Sequence, residues 1–398
     1  MAQPIPARRP PPVRRTGLSW RSPRLRSQVY QVAAVLVVAF AVWVLVSNTL
    51  QNMRVRGIQS GFDFLLQPAG FDIGEKWLPY ESIDAYWKAF LVGLINTLRV
   101  AVVGCVLTTL LGTLLGIGRF SRNALVRGLC YGYVELFRNV PVLLQLLMWY
   151  LLLTEFLPLP SDALSLGRVA FISKNGLSFP LLVWQPGYDW ALGGLALGVI
   201  AAVAYVRLAR LRFERTGVPW PSFSVAALLV IGLAALGLLV GGDPLRFNYP
   251  FRAELQIEGG STLSPEYLTV LIGLVLYTAA YVAEVVRAGI ASVAQGQHEA
   301  AAALGLPPGR TLRLVVLPQA LRLVIPPMTN QYLNLTKNSS LAVAVGYPDI
   351  VSIANTALNQ TGRAVECITV IMAVYLTLSL STSALMNWFN RRAVLKER

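Results

Sequence analysis

Residues 295–321 read QGQHEAAAALGLPPGRTLRLVVLPQAL. This soluble-looking stretch stands between two apolar runs, at about 267–286 and roughly 320–345. It holds the only histidine, His298, then Glu299, four successive alanines and the turn Gly305-Leu306-Pro307-Pro308-Gly309. Alanine is the best helix former, so a helix is expected from His298 onward. Gly305 is placed to end it, because glycine tolerates the left-handed cap conformation. Pro307 and Pro308 forbid simple continuation, and Thr311 is expected to N-cap a second helix that enters the next apolar run. A slim helix, a sharp turn and a re-entry into apolar sequence make a connection between two membrane spans.

The rest of the chain agrees. Of its 398 residues, 55% are hydrophobic and 13% charged, with mean hydropathy +0.57; a soluble domain carries about 25% charge. Apolar runs long enough to cross a hydrocarbon core of about 30 Å recur throughout, and the alternating segments of a transmembrane β-barrel are absent. The fold class is therefore an all-α polytopic membrane protein. The net charge of +15 reads as the excess of basic residues in cytoplasmic loops rather than as a nucleic-acid surface. Cys105, Cys130 and Cys367 are widely spaced in or beside apolar runs, so neither a disulfide framework nor a metal site is expected.

Residues 1–28 carry seven arginines and no acid and read as a basic, Pro/Arg-rich disordered cytoplasmic tail. Residues 29–87 are a first span at 32–46, read as an uncleaved anchor, followed by an outside segment rich in Asp and Glu. Further spans are expected within 89–118 and 129–157 and at about 190–206, 222–241, 267–286, 320–345 and 367–388. Basic clusters then alternate consistently, which gives roughly eight spans with both termini cytoplasmic. The main transmembrane domain covers 88–390, with an inserted block at 158–264 carrying two of the spans, and a basic cytoplasmic tail at 391–398 closes the chain. The segment 291–318 lies on the cytoplasmic side.

The spacing within that segment carries a resemblance. Glu299-Ala300-Ala301, three residues, Gly305, nine residues, then Val315-x-Leu317-Pro318 resembles the EAA motif of ABC-importer permeases, with Val315 where the family pattern has Ile. Its flanks, AAYVAEVVRAGIASVAQGQHEAAAALG and VVLPQALRLVIPPMTNQYLNLTKNSSLAVAVGYPDI, are similar to the permeases of histidine and glutamine importers, and FRNVPVLLQLL at 137–147 is similar to a Phe-Arg-x-x-Pro segment of that branch. The length and extra spans resemble one membrane subunit of the general L-amino-acid importers of Gram-negative bacteria. The resemblance implies a type I ABC importer permease core in the bacterial inner membrane. Glu299, Ala300, Ala301, Gly305, Leu317 and Pro318 would then form the segment that couples to a separate ATPase. It also implies an ATPase dimer carrying ATP and Mg, a second homologous permease or a second copy of this chain, and a periplasmic amino-acid-binding protein.

None of the five lysines, Lys76, Lys88, Lys174, Lys337 and Lys396, follows a glycine. The phosphate-cradling G-x-x-x-x-G-K-[ST] loop is thus missing, and no cofactor is expected on this chain, which reads as a transport subunit rather than an enzyme. Polar groups inside the spans are functional candidates. Asn330, Asn334 and Lys337 or Asn338 fall on one face of the seventh span, with Ser339 beside them. Lys337 lies 19 residues beyond Pro318, or about 28 Å along a helix. Such a stripe must face protein or water. It reads either as the lining of a translocation path, with Lys337 or Asn338 near a substrate carboxylate, or as a subunit-interface ladder with Lys337 paired to an acid. Pro326 and Pro327 are expected to interrupt this span. Glu135 with Arg138, and Glu284 with Arg287, are spaced as i,i+3 structural pairs; Arg99 is expected to snorkel outward. A secondary transporter would predict internal inverted repeats, which the sequence lacks, and a membrane enzyme would need a reactive constellation that one exposed histidine does not supply.

Overall fold

The computed structural model describes residues 23–393 apart from positions 56, 58, 59, 168, 219, 243, 244 and 255. Most of the N-terminal tail and the last residues of the C-terminal one fall outside the described residues. Helix α1 runs Pro23–Val55 and α2 Tyr86–Gly118. Helices α3 (Ala124–Asn139) and α4 (Val142–Leu151) follow, with a wide turn at Leu152–Phe156. Then come α5 (Tyr188–Thr216), α6 (Ser222–Gly241) and α7 (Pro265–Ala291). The short α8 (Gln295–Ala303) and the single turn α9 (Pro308–Thr311) precede α10 (Leu317–Asn338). A tighter helical stretch at Ser339–Val345, α11 (Ile350–Thr361) and α12 (Ala364–Ala393) complete the chain. Among the described residues seven helices are long and apolar enough to cross a bilayer, and eight if the bent pair α3–α4 counts as one span.

That pair corrects the sequence reading. A straight third span within 129–157 does not form; α3 and the helix that ends at Phe156 are bent by 104°. Pro141 has no N–H to continue the ladder of α3, and the Gln145 side chain donates to the freed carbonyls of Phe137 and Val140 at 3.0 and 2.8 Å. Pro326 and Pro327, by contrast, do not interrupt α10, which continues through both.

Helices α2 and α7 form the centre of the bundle through missing side chains. A Cβ at Gly112 would lie 2.5 Å from Val282 Cγ1 and 2.9 Å from the Ala279 carbonyl oxygen, and one at Gly116 would lie 2.8 Å from the Ala283 carbonyl oxygen. Small residues let backbones approach where lipid supplies no hydrophobic drive between helices. Helix α10 lays Val324, Met328 and Leu335 against this pair, and Tyr332 exchanges a 2.7 Å hydrogen bond with Thr109 of α2.

The segment between α1 and α2 is knit into one end of the bundle. Phe64, Ala69, Ile73 and Tyr80 join Tyr86 and Phe90 of α2, Ile350 and Ala354 of α11, and Cys367 of α12 in one buried cluster. Two ionic clamps hold it there. Arg363 bonds the Gly61 carbonyl at 2.5 Å and the Asp63 carboxylate at 2.5 and 3.0 Å, while Glu366 accepts from the Gly61 N–H at 2.7 Å. The Arg363 guanidinium holds the Asp63 carboxyl below its usual range. In the second clamp Glu75 bonds both Arg99 and Ser264. The Arg99 guanidinium lies 3.8 Å from the Tyr267 ring centroid and 4.5 Å from that of Trp77. Arg99 therefore does not snorkel outward; its side chain is 9% exposed, because an acid reaches in from the preceding segment and supplies the counter-charge.

The block 158–264 holds a structure that its polar composition hid. Strands β1 (Leu164–Leu166), β2 (Ala170–Ser173) and β3 (Gly176–Phe179) run antiparallel, and β8 (Ser261–Leu263) joins β3. Two further rungs pair β4 (Leu181–Leu182) with β5 (Phe247–Asn248) and β6 (Phe251–Arg252) with β7 (Ile257–Glu258). Helices α5 and α6 leave and re-enter this sheet as a hairpin. With α5, α6 and α7 each crossing once, the α5–α6 turn and α8 share the side opposite the sheet.

Two measurements check this packing. Gly112→Leu should lower the thermal midpoint of the purified protein through overpacking of about 1–3 kcal/mol. Gly128→Ala, in a helix position with nothing within 4 Å, should leave the midpoint unchanged or raise it. Arg99→Met should cost about 3–5 kcal/mol by leaving Glu75 buried and unpaired, and adding Glu75→Gln should restore most of the loss in the same thermal scan.

Candidate functional site

The α8 segment takes the form its sequence implies, with two adjustments. The helix begins at Gln295, three residues before His298, because Ala294 already turns the chain with extended backbone. Gly305 closes it at φ +71°, and the Gly305 and Leu306 N–H groups donate to the Ala302 and Ala301 carbonyls at 2.9 and 3.1 Å. Thr311 is not the cap of the next helix. That helix starts at Pro308 with Pro307 as its cap residue, since a proline at the first helical position loses no intrahelical bond. The Thr311 hydroxyl instead donates to the Leu306 and Pro307 carbonyls at 3.4 and 3.3 Å and ties the turn together.

Ala301 is buried and α8 packs back on the Leu312–Val316 turn, above a small patch of Val293, Val316 and Ala320. Gln319 of α10 donates to Gln297 at 3.1 Å and fixes the start of α8. Glu299, Ala300 and Gly305 are exposed, as is Leu317, and Pro318 is half-buried. Leu304 is 80% exposed at the tip of the helix. A held helix thus presents an alanine face, one carboxylate and a bare leucine away from the bundle, a surface suited to a groove on another chain.

Asn330, Asn334 and Lys337 are exposed along one face of α10, Asn338 is half-buried, and Ser339 is buried. Ser339 leaves the stripe, because its hydroxyl donates to the Thr336 carbonyl at 2.7 Å. No ion pair reaches Lys337 among the described residues. The stripe faces away from α2 and α7, which the opposite face of α10 covers.

The two structural pairs diverge. Glu284 and Arg287 pair at 2.5 Å, and Arg119 from the end of α2 joins the same carboxylate at 2.5 Å; the sequence reading missed this third member. Glu135 and Arg138 do not pair. Glu135 accepts from Asn139 at 3.4 Å, while the Arg138 guanidinium crosses to α7 and lies 5.4 Å from the Tyr281 ring centroid. Arg138 stands in the last turn of α3, so its side chain is carried toward the neighbouring helix rather than back along its own. Among the described residues no cluster of His, Cys, Asp or Glu has metal-binding form.

Comparison with known proteins accords with this arrangement. Residues 220–394 match the family described as binding-protein-dependent transport system inner membrane component, a span that includes α8, its turn and the α10 stripe. The chain is 43% identical, over 97% of its length and 98% of the relative's, to the general L-amino acid transport system permease protein AapQ of Rhizobium johnstonii. It is 43% identical, over 96% and 97%, to the putative amino-acid ABC transporter permease protein YhdX of Escherichia coli. It is 39% identical, over 94% and 95%, to the glutamate/glutamine/aspartate/asparagine transport system permease protein BztB of Rhodobacter capsulatus. With near full-length identity to these permeases and a folded, outward-presented α8 segment, the chain belongs to the amino-acid ABC transporter permeases, among the binding-protein-dependent transport system inner membrane components.

Proposed function

We propose that this chain is the permease subunit of an ATP-driven importer that carries L-amino acids across the bacterial inner membrane, coupled through α8 to a separate ATPase. The carrying observation is the held but outward-presented helix: Ala301 and Gln297 fix it to the bundle, while Glu299, Ala300, Leu304 and Gly305 face away. Glu299, Ala300, Ala301, Gly305, Leu317 and Pro318 form the coupling segment, the first four in the helix and its turn and the last two at the hinge into α10. ATP and Mg reside on an ATPase dimer, whose closure moves α8 and rocks the helices between two states that bind it differently. A periplasmic amino-acid-binding protein delivers substrate on the sheet side. Positive-inside bias puts α8 and both termini in the cytoplasm.

The stripe of Asn330, Asn334 and Lys337 lines the translocation path where this chain meets a second permease or a second copy of itself. Such a face is not stable against lipid, so a partner surface or water covers it. Lys337 supplies the charge that meets the α-carboxylate common to all amino acids, and the asparagines and Asn338 supply neutral hydrogen bonds.

The first test is a mild-detergent pull-down of the tagged protein from its native membrane. An ATPase carrying a P-loop should co-purify and should be lost when Glu299 and Gly305 are both replaced; an isolated chain that moves amino acids in liposomes without ATP would overturn the reading. Gly305→Asp should reduce uptake to background while the protein stays in the membrane, because an L-residue at that φ costs about 1–2 kcal/mol and the added charge faces the docking surface. Lys337→Ala should slow transport by about tenfold or more, the worth of one charge-assisted hydrogen bond, with ATPase co-purification intact; unchanged kinetics would remove Lys337 from the path.

A further inference from the structure

The inserted hairpin α5–α6 takes no part in the bundle. A Cβ at Gly194 would lie 2.2 Å from the Leu233 carbonyl oxygen, one at Gly237 2.2 Å from that of Trp190, and one at Gly241 2.2 Å from that of Gly187. The two helices therefore meet backbone to backbone, through paired Gly-x-x-x-Gly faces. Neither has an extensive contact with any other helix, and their outer faces expose Leu192, Leu197, Ile200, Leu228, Ile231 and Leu239. The hairpin is a lipid-bathed annex held to the rest through the sheet.

Its two arms differ in length, 29 residues in α5 and 20 in α6. A 20-residue helix spans about 30 Å, the hydrocarbon thickness, so the start of α6 marks the membrane boundary on the α8 side. The facing pairs Trp190 with Gly237 and Gly198 with Leu229 carry on to set Ser222 beside Val206. Residues 207–216 of α5 thus project past that boundary by about 15 Å. Arg207, Arg210, Arg212 and Arg215 all lie in this projection, against one acid, Glu214, which pairs with Arg210 at 3.2 Å. By the same rise, Arg207 and Arg210 stand within about 6 Å of the boundary, at headgroup depth. The returning chain lies along the projection: the Trp220 ring stacks 5.9 Å from that of Tyr205 at 8°, and the Arg212 guanidinium is 4.2 Å from Trp220. An aromatic pair at the boundary, exposed Leu208 and Leu211, and arginines just beyond it are the components of a phosphate-headgroup site.

We propose that the projecting end of α5 binds the phosphate of anionic lipids in the leaflet on the α8 side, and that this contact anchors the annex in register with the membrane. Guanidinium groups suit phosphate because they donate in parallel pairs. Only the name of the leaflet rests on the orientation given under the proposed function. The ligand chemistry is a phosphate monoanion, and depth favours lipid over a soluble source or an acidic protein surface.

The test uses the complete complex purified from its membrane into nanodiscs of phosphatidylglycerol and phosphatidylcholine, with bound lipid counted by native mass spectrometry. The wild type should retain phosphatidylglycerol in preference to phosphatidylcholine. The triple variant Arg207→Gln, Arg212→Gln, Arg215→Gln should lose that retention at least tenfold. Arg207→Lys, Arg212→Lys, Arg215→Lys keeps the charge that orients α5 and should retain an intermediate amount. Arg210→Gln with Glu214→Gln removes one charge of each sign and should match the wild type. Equal retention in the wild type and the glutamine triple would overturn the proposal. So would displacement of the lipid by millimolar inorganic phosphate, or loss of a co-purifying protein in place of lipid. Co-purification of an ATPase through α8 is scored in the same spectra, so failure of that coupling and failure of lipid binding are read separately.

Discussion

The close approach of α2 and α7 is the contact on which the rest of the bundle depends. Gly112 and Gly116 let α2 settle onto the Ala279–Val286 stretch of α7, and α10 then packs against both. In a bilayer the apolar side chain gains little by leaving lipid for protein, so dispersion between closely fitted backbones must do what burial does in water. The surface left over on α10 is the polar stripe. Packing and path are two faces of one helix, fixed in opposite directions by the same contact.

At the sheet-side end the forces are of another kind. Arg99, Glu75, Arg363, Asp63 and Glu366 are drawn from segments far apart in sequence, and each cation meets its counter-charge at the margin of the bundle. Removing either partner strands a charge, whereas the intact pair is close to neutral in net stability. The clamps therefore specify where the segment before α2 lies more than they strengthen it. They make a stretch that reads as a plain loop into part of the core.

Much of this was legible in the sequence, and the parts that were not share a cause. The spans, the α8 helix and the left-handed turn at Gly305 follow from local rules of hydropathy, helix propensity and glycine conformation, and all appear where those rules put them. The stripe of Asn330, Asn334 and Lys337 follows from helical period alone. The misread features each needed a partner distant in sequence. Arg99 reads as a snorkelling side chain until Glu75 is seen beside it. Glu135 and Arg138 have pairing distance along one helix, yet Tyr281 draws the arginine across to another. The bend between α3 and α4 had a visible signal in Pro141, but the depth of the bend rests on Gln145, whose amide takes up two carbonyls. The sheet was hidden because its strands are two to four residues long, too short for alternation to register.

The inserted block has a property that belongs to counting rather than to energy. Its strands before and after the hairpin are neighbours in one sheet, Leu177 beside Leu263, so the chain enters and leaves the block at one neck. Between those two passages it crosses the membrane twice. An even number of crossings preserves parity: α7 departs from the same side it would have departed from with no insertion, and α8 emerges on the face where it must be. A single added span would have inverted everything downstream. The hairpin is thus the smallest membrane-embedded addition that leaves the sidedness of the rest intact, and the sheet is the seam that keeps its two ends together.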